Sequence, residues 1–279
     1  MRKRVLFPLM NVAILLLMSA YQCLAGFDNP IRAKFSIPYG EDTVRQSMDV
    51  FLPLVQDTDR TPVIVLVHGG AWYFGDKTSF STLGFDTFLT EKGYAVVSIN
   101  YRLVSNAKYP AQIEDIGMVM DYIKDKGADW KINPDRVCIL GMSSGAQLAL
   151  IYAYCKNKDG RIKAAIDLYG PTNLLDSTVV YSQLGGNAEA LLGPIDSNRE
   201  AWHDASPLFY TKTGVPTAIV QGPADSIVYF KHSKFLEDSL KANNIPVILY
   251  KWVAKGHGWH REKWMECREP MMAWIRKFL

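Results

Sequence analysis

Residues 137–150 read VCILGMSSGAQLAL. The first four residues are apolar, which predicts a short strand buried on both faces. The letters GMSSG follow, and the apolar residues after them predict a buried helix. A strand, a sharp turn and a helix, with G-x-S-x-G in the turn, are typical of a nucleophile elbow. In such an elbow the serine is held at the tip of the turn, so the stretch predicts a nucleophile at Ser143.

The spacing of the two glycines has a steric explanation. When a chain reverses direction between a strand and a helix within a few residues, the two backbones come close, and Gly141 and Gly145 have no Cβ to clash. The helix would supply backbone N–H groups and the positive end of a dipole where an oxyanion develops. Three defined positions also recur by chance, so an ordinary turn of small residues is the alternative interpretation of the motif alone.

Length and composition limit the classes of protein that fit. The chain has 279 residues, of which 48% are hydrophobic and 21% charged, so it can bury one large core and disorder is not indicated. The net charge is +3, and removing Arg2, Lys3 and Arg4 from the 31 Lys and Arg leaves 28, equal to the 28 Asp and Glu. A neutral remainder without a basic patch gives no indication of a nucleic-acid partner.

The first 25 residues are typical of a secretory signal peptide. Three positive charges precede an apolar stretch at residues 12–18, and small residues near Ala25 favour cleavage after it. Lipid anchoring at Cys23 is an alternative, which the bulky residues before the cysteine disfavour. An uncleaved anchor is another, although the apolar run is short for a bilayer. We expect export to the periplasm or the extracellular space.

Cysteine usage does not indicate a disulfide framework or a metal. After cleavage the chain would keep Cys138, Cys155 and Cys267, an odd number. The first two fall in the predicted core strand and the elbow helix, where we expect small buried apolar residues. There is no C-x-x-C, so structural zinc is not indicated, and no metal or organic cofactor is expected.

Predicted strands alternate with predicted helices after an initial meander. This order predicts an α/β fold with a mostly parallel sheet of about eight strands and helices on both faces, here as one catalytic domain over residues 26–279. Residues 171–213 are rich in Gly, Ser, Asn and Pro and are interpreted as a loop excursion with short helices, or a partial lid. The strands are predicted at 33–38, 47–53 (an edge strand), 63–67, 94–100, 137–140, 164–169, 216–220 and 247–253. A turn is predicted at 133–135, and helices at 78–92, from 110, after the elbow, at 231–243 and at 262–279.

Three candidate catalytic groups follow three different predicted strands: Ser143, Asp225 in QGPAD and His257 in GHG. The order Ser…Asp…His is that of α/β-hydrolases. A serine hydroxyl is a weak nucleophile at neutral pH and needs a base, for which histidine has a suitable pKa. That base needs a carboxylate to orient it and to stabilise its charged form. We therefore predict Ser143 as nucleophile, His257 as base and Asp225 as the orienting acid.

Other residues could fill two of these roles. His260 is the alternative base, three residues after His257, which is preferred because a glycine stands on each side of it directly after a strand. Asp225 could instead be an ordinary turn residue. The remaining candidates are expected in bracing, surface or packing roles, or within a strand or the excursion: His68, His203, His232, Asp167, Asp196 and Asp204.

The residues after the predicted strand 63–67 are candidates for an oxyanion hole. They read HGGAW, and glycines allow a backbone to approach a substrate closely. We predict that the N–H groups of Gly69, Gly70 and Ser144 converge on the oxyanion. Trp72 and Tyr73, followed by Phe74, could line the acyl or alcohol pocket, with plain core aromatics as the alternative.

These motifs together resemble the secreted esterase/lipase branch of the α/β-hydrolase superfamily. The likeness extends from about Tyr39 to the end and is greatest to the feruloyl esterase-like and hormone-sensitive-lipase-like groups. It is carried by SMDVFLP (47–53), HGGAW (68–72), VSINYRL (97–103), YPAQIEDI (109–116), GMSSGAQLA (141–149) and GHGW (256–259). The resemblance implies the same triad and oxyanion donors as the motifs. Many relatives have His-Gly where this chain has Gln221-Gly222. Some lipase groups have an acidic residue directly after the elbow serine; this chain has Ser144 there, which favours the feruloyl esterase-like group.

The function expected from the sequence is that of a serine carboxylic ester hydrolase that forms an acyl-enzyme. Short acyl groups are expected, and acetyl or feruloyl esters follow only from the resemblance. The substrate would be a small or polysaccharide-linked ester, without a nucleic-acid partner or a stable membrane span, and the oligomeric state is left open. The alternatives are a peptidase or formamidase with the same triad, and a binding protein that keeps the fold without catalysis.

Overall fold

One sheet runs through the residues that our computed structural model describes, 31–56, 61–252, 256–258 and 261–279. The predicted signal peptide and His260 lie outside these residues. In the described part the sheet has eight strands in the order β1-β2-β4-β3-β5-β6-β7-β8. The strands are β1 Ile31–Pro38, β2 Ser47–Pro53, β3 Thr61–Val67, β4 Ala95–Ile99, β5 Ile132–Met142, β6 Ile162–Leu168, β7 Thr217–Gln221 and β8 Val247–Lys251.

Most of the sheet is parallel. β1 pairs with β2 and β2 with β4 in the antiparallel sense, whereas every pairing from β4 through β3 and β5 to β8 is parallel. The carboxyl ends of the parallel strands therefore meet at one edge, where the turns after β3, β5, β7 and β8 lie close together. The predicted α/β fold with about eight strands is confirmed.

The central strands are buried on both faces. In β3, Val63, Val65 and Val67 belong to the core on one face, and Ile64 and Leu66 to the core on the other. All five are inaccessible to solvent. A parallel strand covered by helices on both sides needs apolar residues at every position, which explains the uninterrupted VIVLV of the sequence.

Helices cover both faces of this sheet. The predicted helix over 78–92 is two helices, because the chain turns at Gly84, whose φ of 78° is left-handed. The described helices are α1 Thr78–Leu83, α2 Phe85–Glu91, α3 Ala111–Trp130, α4 Ser144–Ile151, α5 Ser177–Val180, α6 Gln183–Leu192, α7 Ile195–Asp204, α8 Lys231–Ala242 and α9 Arg261–Phe278. A π-helical turn at Tyr152–Lys156 follows α4, and a 3-10 helix occupies Pro207–Thr213.

The excursion at residues 171–213 is mostly helical and packs against the rest of the chain. It contains α5, α6 and α7, and Trp202 on α7 is only 2% exposed. The indole of Trp202 donates a hydrogen bond to the carbonyl oxygen of Gly193. Leu174, Leu184 and Leu191 share the same core as the central strands. The excursion is thus an integral part of the hydrophobic core.

Two local predictions from the sequence are corrected. β2 is an interior strand, since β1 pairs along its outer side and all seven of its residues are buried. The turn predicted at residues 133–135 lies within β5, where the pairing with β3 moves from Thr61–Ile132 directly to Val63–Val137. The four residues between Ile132 and Val137 bulge out of the ladder, so a turn-like sequence interrupts the strand without ending it.

Residues Ile31–Leu279 form one compact unit. In the part of the chain that the structure describes, none of the helices combines the length and the apolar composition that a membrane crossing requires.

Candidate active site

Ser143 lies between the end of β5 and the first residue of α4. Its φ of 52° and ψ of −123° are unusual for a residue with a side chain. The Ser143 N–H donates to the carbonyl oxygen of Leu168 (2.8 Å), and the Ala146 N–H donates to the Ser143 carbonyl oxygen (2.9 Å). Hydrogen bonds from the neighbouring strand and from the helix thus hold a strained residue at the tip of the turn, as expected of a functional site.

The two glycines of the motif are required by close packing. A Cβ on Gly141 would overlap the carbonyl oxygen of Gly145, and a Cβ on Gly145 would overlap the carbonyl oxygens of Val67 and His68. The elbow therefore packs backbone to backbone both within itself and against the loop after β3. This contact places the two loops side by side.

The structure brings the three predicted catalytic residues together. Ser143 Oγ lies 2.8 Å from His257 Nε2, and His257 Nδ1 lies 2.9 Å from Asp225 Oδ2. Asp225 follows β7 and its side chain is 1% exposed, whereas that of His257 is 14% exposed. The ring of Tyr169 meets the imidazole edge to face at 4.9 Å. With Nδ1 donating to the carboxylate, Nε2 can accept the serine proton, which is the geometry of a nucleophile, a base and an orienting acid.

Asp225 also holds its own loop. Its Oδ1 accepts hydrogen bonds from the backbone N–H groups of Ile227 (3.0 Å) and Val228 (2.9 Å). The two interpretations that the sequence left open, turn residue and orienting acid, therefore apply to different oxygens of one carboxylate. Because Oδ1 is fixed by the turn, Oδ2 points towards the histidine.

The predicted oxyanion donors lie beside the nucleophile. Gly69 and Gly70 line the same cleft as Ser143. A Cβ on Gly69 would lie 2.9 Å from the Met142 carbonyl oxygen and 3.2 Å from Ser143 Cβ, so the backbone of this loop lies directly against the elbow. Ser144 is the first residue of α4, where helix geometry leaves the N–H without an intrahelical acceptor.

Residues 69–75 carry two of the predicted oxyanion donors and are called the oxyanion loop here; Trp72 holds their unusual backbone in place. Ala71 and Trp72 have φ values of 51° and 62°. Within the loop the N–H groups of Tyr73 and Phe74 donate to the Gly70 carbonyl oxygen. The fully buried Trp72 indole donates to Gln147 Oε1 on α4 (2.9 Å). These contacts offset the cost of the left-handed residues and fix the loop to the elbow helix.

The cleft over Ser143 has a volume of about 540 Å³, and neither Trp72 nor Tyr73 lines it. Trp72 points into the core and Tyr73 is 44% exposed outside the cleft, so neither forms the pocket wall that the sequence predicted for them. Phe74, the third aromatic residue considered for this wall, does line the cleft. Side chains from four further segments also line it and were not predicted: Ser79, Tyr169, Ser182, Gln183, Leu184, Asn187, Ser226 and Ile227.

The signals for these missed residues differ. Tyr169 directly follows β6, so its place at the carboxyl edge could have been predicted from the strand. Ser182, Gln183, Leu184 and Asn187 come from α6 and the residue before it, and nothing in their local sequence shows that this helix packs over the elbow.

The other buried histidines are held in roles that keep them neutral. Burial lowers the pKa of His68 and of His232 to about 4. His68 Nδ1 faces the Gly69 carbonyl oxygen at 2.7 Å, and its ring stacks on Tyr101, which braces the oxyanion loop. His203 is exposed and stacks on Phe209. None of the three is hydrogen-bonded to Ser143, whose hydroxyl pairs with His257.

Asp167 is a fully buried carboxyl group next to the elbow. It lies on β6 opposite Gly141, and its Oδ1 accepts a hydrogen bond from the Gly170 N–H (2.7 Å). Its Oδ2 has no hydrogen-bond partner among the described residues. Burial raises the pKa of Asp167 to about 7, because a buried charge without a partner is disfavoured.

We expect Asp167→Asn to flatten the pH dependence of stability. Between about pH 4 and pH 7 the unfolded chain loses this proton while the folded chain keeps it, so the free energy of unfolding falls as the pH rises through this window. The fall is on the order of 4 kcal/mol for a shift of this size. Asparagine keeps an acceptor for Gly170 but cannot ionise. Urea unfolding at pH 4 and pH 8 measures this, and an equal pH dependence in both proteins would contradict it.

The described residues contain no group of three or more His, Cys, Asp or Glu side chains that could hold a metal ion. Cys138 is buried without a disulfide partner, and burial raises the pKa of its thiol.

The sheet order, the elbow after β5 and the Ser–His–Asp hydrogen-bond chain at the carboxyl edge define the α/β-hydrolase class. Residues 48–240 match the model of one family, and the chain belongs to this family, BD-FAE.

Curated relatives carry esterase names. Esterase LipQ of Mycobacterium tuberculosis is 26% identical over 235 residues, which cover 79% of this chain and 56% of LipQ. The isoprenylcysteine alpha-carbonyl methylesterase ICME of Arabidopsis thaliana is 26% identical over 272 residues, which cover 90% of this chain and 62% of ICME. The chain thus spans little more than half the length of the curated relatives it matches.

Solved structures share the fold. Esterase B from Lactobacillus rhamnosis matches with a TM-score of 0.75 at 19% identity, over 97% of this chain and 93% of that one. A truncated carbohydrate esterase from gut microbiota matches with a TM-score of 0.75 at 20% identity, over 90% of this chain and 97% of that one.

Proposed function

We propose that this protein is a serine carboxylic ester hydrolase. The observation that carries the proposal is the chain of hydrogen bonds from Ser143 through His257 to Asp225, at the floor of a cleft that Gly69 and Gly70 also line. A serine, a base and an orienting acid beside convergent backbone N–H groups are the components that acyl transfer requires. The esterase names of the relatives support the same reaction class.

The reaction proceeds in two halves. Ser143 Oγ attacks the ester carbonyl carbon while His257 Nε2 takes its proton, and the oxyanion accepts hydrogen bonds from Gly69, Gly70 and Ser144. The protonated His257 then gives this proton to the departing alcohol, which leaves an acyl-enzyme. Water, deprotonated by His257, then attacks the acyl carbon, and as the bond to Ser143 Oγ breaks His257 returns the proton to that oxygen, which releases the acid and free Ser143. Asp225 stabilises the imidazolium in both halves.

We propose short acyl groups, acetyl or feruloyl, on a small or polysaccharide-linked alcohol. A cleft of about 540 Å³ has room for an acetyl or a feruloyl group. Its walls combine apolar side chains with polar ones from the start of α6. A structure of the same fold is described as a carbohydrate esterase.

A panel of substrates tests the reaction class and the acyl limit. We expect hydrolysis of p-nitrophenyl acetate and of methyl ferulate, with kcat/KM falling as the acyl chain lengthens, and little turnover of peptide anilides or formamides. Activity confined to the amides would overturn the ester assignment in favour of a peptidase or formamidase. Preference for long acyl chains would overturn the short-acyl proposal alone.

The non-catalytic alternative has its own test. An organophosphonate should form a covalent adduct at Ser143, which intact and peptide mass spectrometry detect. If the folded protein forms no adduct and hydrolyses no ester, the binding-protein alternative replaces the hydrolase.

We also propose that the protein is exported and cleaved after Ala25. The arrangement of charge, apolar run and small residues in the first 25 residues supports this. Intact mass of the protein recovered from the exporting cell should correspond to a chain that begins at Gly26. A diacylglyceryl mass on Cys23 would show lipid anchoring, and an unprocessed N-terminus would show that no cleavage occurs.

A further inference from the structure

Gln221, the last residue of β7, lies fully buried behind the catalytic acid. Its amide nitrogen Nε2 donates to Asp225 Oδ2 (3.3 Å) and to the Val228 carbonyl oxygen. Its amide oxygen Oε1 accepts a hydrogen bond from Ser233 Oγ on α8. All the polar atoms of this amide are therefore hydrogen-bonded, and the Gln221 side chain joins the loop that carries Asp225 to helix α8.

The contact with Asp225 falls on the oxygen that serves the histidine. Oδ1 is occupied by the two backbone N–H groups of the turn, so Oδ2 is the oxygen shared by His257 Nδ1 and Gln221 Nε2. In the part of the chain that the structure describes, these are the two side-chain donors to Asp225. A second donor on Oδ2 both fixes the carboxylate and takes up part of its capacity to stabilise a proton on the histidine.

We infer that Gln221 is a positioning residue, which holds the Asp225 carboxylate in register with His257 and sets how strongly that carboxylate stabilises the imidazolium. Ser233 fixes the orientation of the Gln221 side-chain amide, because its hydroxyl donates to Oε1 and so leaves Nε2 facing Asp225. The inference rests on the proposed function, because it concerns the same catalytic pair.

The other groups around the pair do not duplicate this role. His232 on α8 faces Asp225, but burial lowers its pKa to about 4, so it stays neutral above that pH. Asp176 and Lys231 are paired with each other at 2.6 Å. Tyr169 contacts His257 through its ring.

The test is Gln221→Met, which keeps the length of the side chain and removes its hydrogen bonds. A carboxylate with one donor fewer holds the imidazolium proton more tightly. In a plot of kcat/KM against pH, the rise on the acidic side (the acidic limb) should therefore move to higher pH, by about 0.5 unit. The looser carboxylate should also lower kcat by about ten-fold, with a smaller change in KM.

Ser233→Ala is the second variant, and it removes only one hydroxyl group in case Gln221→Met does not fold. Because Ser233 acts through the amide, its loss should move the acidic limb in the same direction by a smaller amount. The double variant should match Gln221→Met alone, since nothing remains for Ser233 to orient. Additive shifts would contradict the proposed order of action.

Tyr154→Phe is the matched control. Its hydroxyl forms an equally buried hydrogen bond with Thr217, the first residue of the same strand, at the end away from the catalytic groups (2.8 Å). This variant should lower the free energy of unfolding while leaving the acidic limb where it is in the wild type.

A measurement without substrate separates the inference from the proposed function. The proton between His257 and Asp225 should give a far-downfield NMR signal, and its titration midpoint should move up in Gln221→Met. If the wild type hydrolyses no ester but the midpoint still moves up in Gln221→Met, the function is refuted and the inference is kept. An unmoved midpoint and acidic limb in a folded Gln221→Met protein would overturn the inference and leave the function intact.

Discussion

Replacing Ser143 with alanine should reduce kcat for ester hydrolysis by about 10⁴-fold or more, because the acyl-enzyme cannot form. The structure gives the hydroxyl one strong partner, His257 Nε2 at 2.8 Å, and places it on a backbone that the neighbouring strand holds. Alanine removes only the oxygen, so the fold and the melting temperature should change little. Initial rates with p-nitrophenyl acetate and covalent labelling by a phosphonate measure the two consequences.

The adjacent serine gives a control within the same motif. Ser144 is fully buried, and its Oγ accepts a weak hydrogen bond from the Trp72 N–H (3.4 Å). Ser144→Ala should therefore retain covalent labelling, with a smaller reduction in kcat that reflects a looser oxyanion loop. If Ser144→Ala abolished labelling and Ser143→Ala retained it, the nucleophile would have been assigned to the wrong serine.

The elbow could be predicted because its geometry is local. The overlap that excludes a Cβ at Gly141 arises from a chain that reverses within a few residues, so this constraint is visible in the local sequence. The overlap at Gly145 is with Val67 and His68, and there the sequence shows only the glycine of the motif and not the contact that requires it. The candidate triad could be proposed for a related reason. Parallel strands bring their carboxyl ends to one edge, so residues that follow different strands meet even when 114 positions separate them, as Ser143 and His257 are.

The lining of the cleft could not be predicted in the same way. α6 reaches the nucleophile because the excursion shares the hydrophobic core, with Leu184 and Leu191 buried among residues distant in sequence. The prediction that Trp72 lines the cleft was wrong for a similar reason. The partner of Trp72, Gln147, lies 75 residues away on the elbow helix, and nothing next to the tryptophan shows that its indole donates there. The role of Gln221 likewise depends on Ser233, a residue on another element.

The second large effect is expected at Gly70, the turning point of the oxyanion loop. Its φ is +125°, a conformation that residues with side chains rarely adopt, and a Cβ there would overlap the carbonyl oxygen of Phe74. Gly70→Ala must therefore open the turn and move the Gly70 N–H away from the oxyanion. Loss of one such donor costs about 10²–10³-fold in kcat. KM should change less, because the donor acts mainly on the tetrahedral state.

Gly186→Ala is the matched control, since Gly186 lies on α6, a helix whose other residues line the cleft, but has no atom within 4 Å of an added Cβ. Alanine should raise the stability of that helix by about 0.5–1 kcal/mol and leave kcat unchanged. Phosphonylation rates distinguish a displaced donor from a lost nucleophile: Gly70→Ala should still be labelled at Ser143, but slowly, because the phosphonate oxygen uses the same donors. A folded Gly70→Ala protein with a wild-type kcat would show that the oxyanion is stabilised by other groups, and Ser144 on the elbow helix would then carry more of that role.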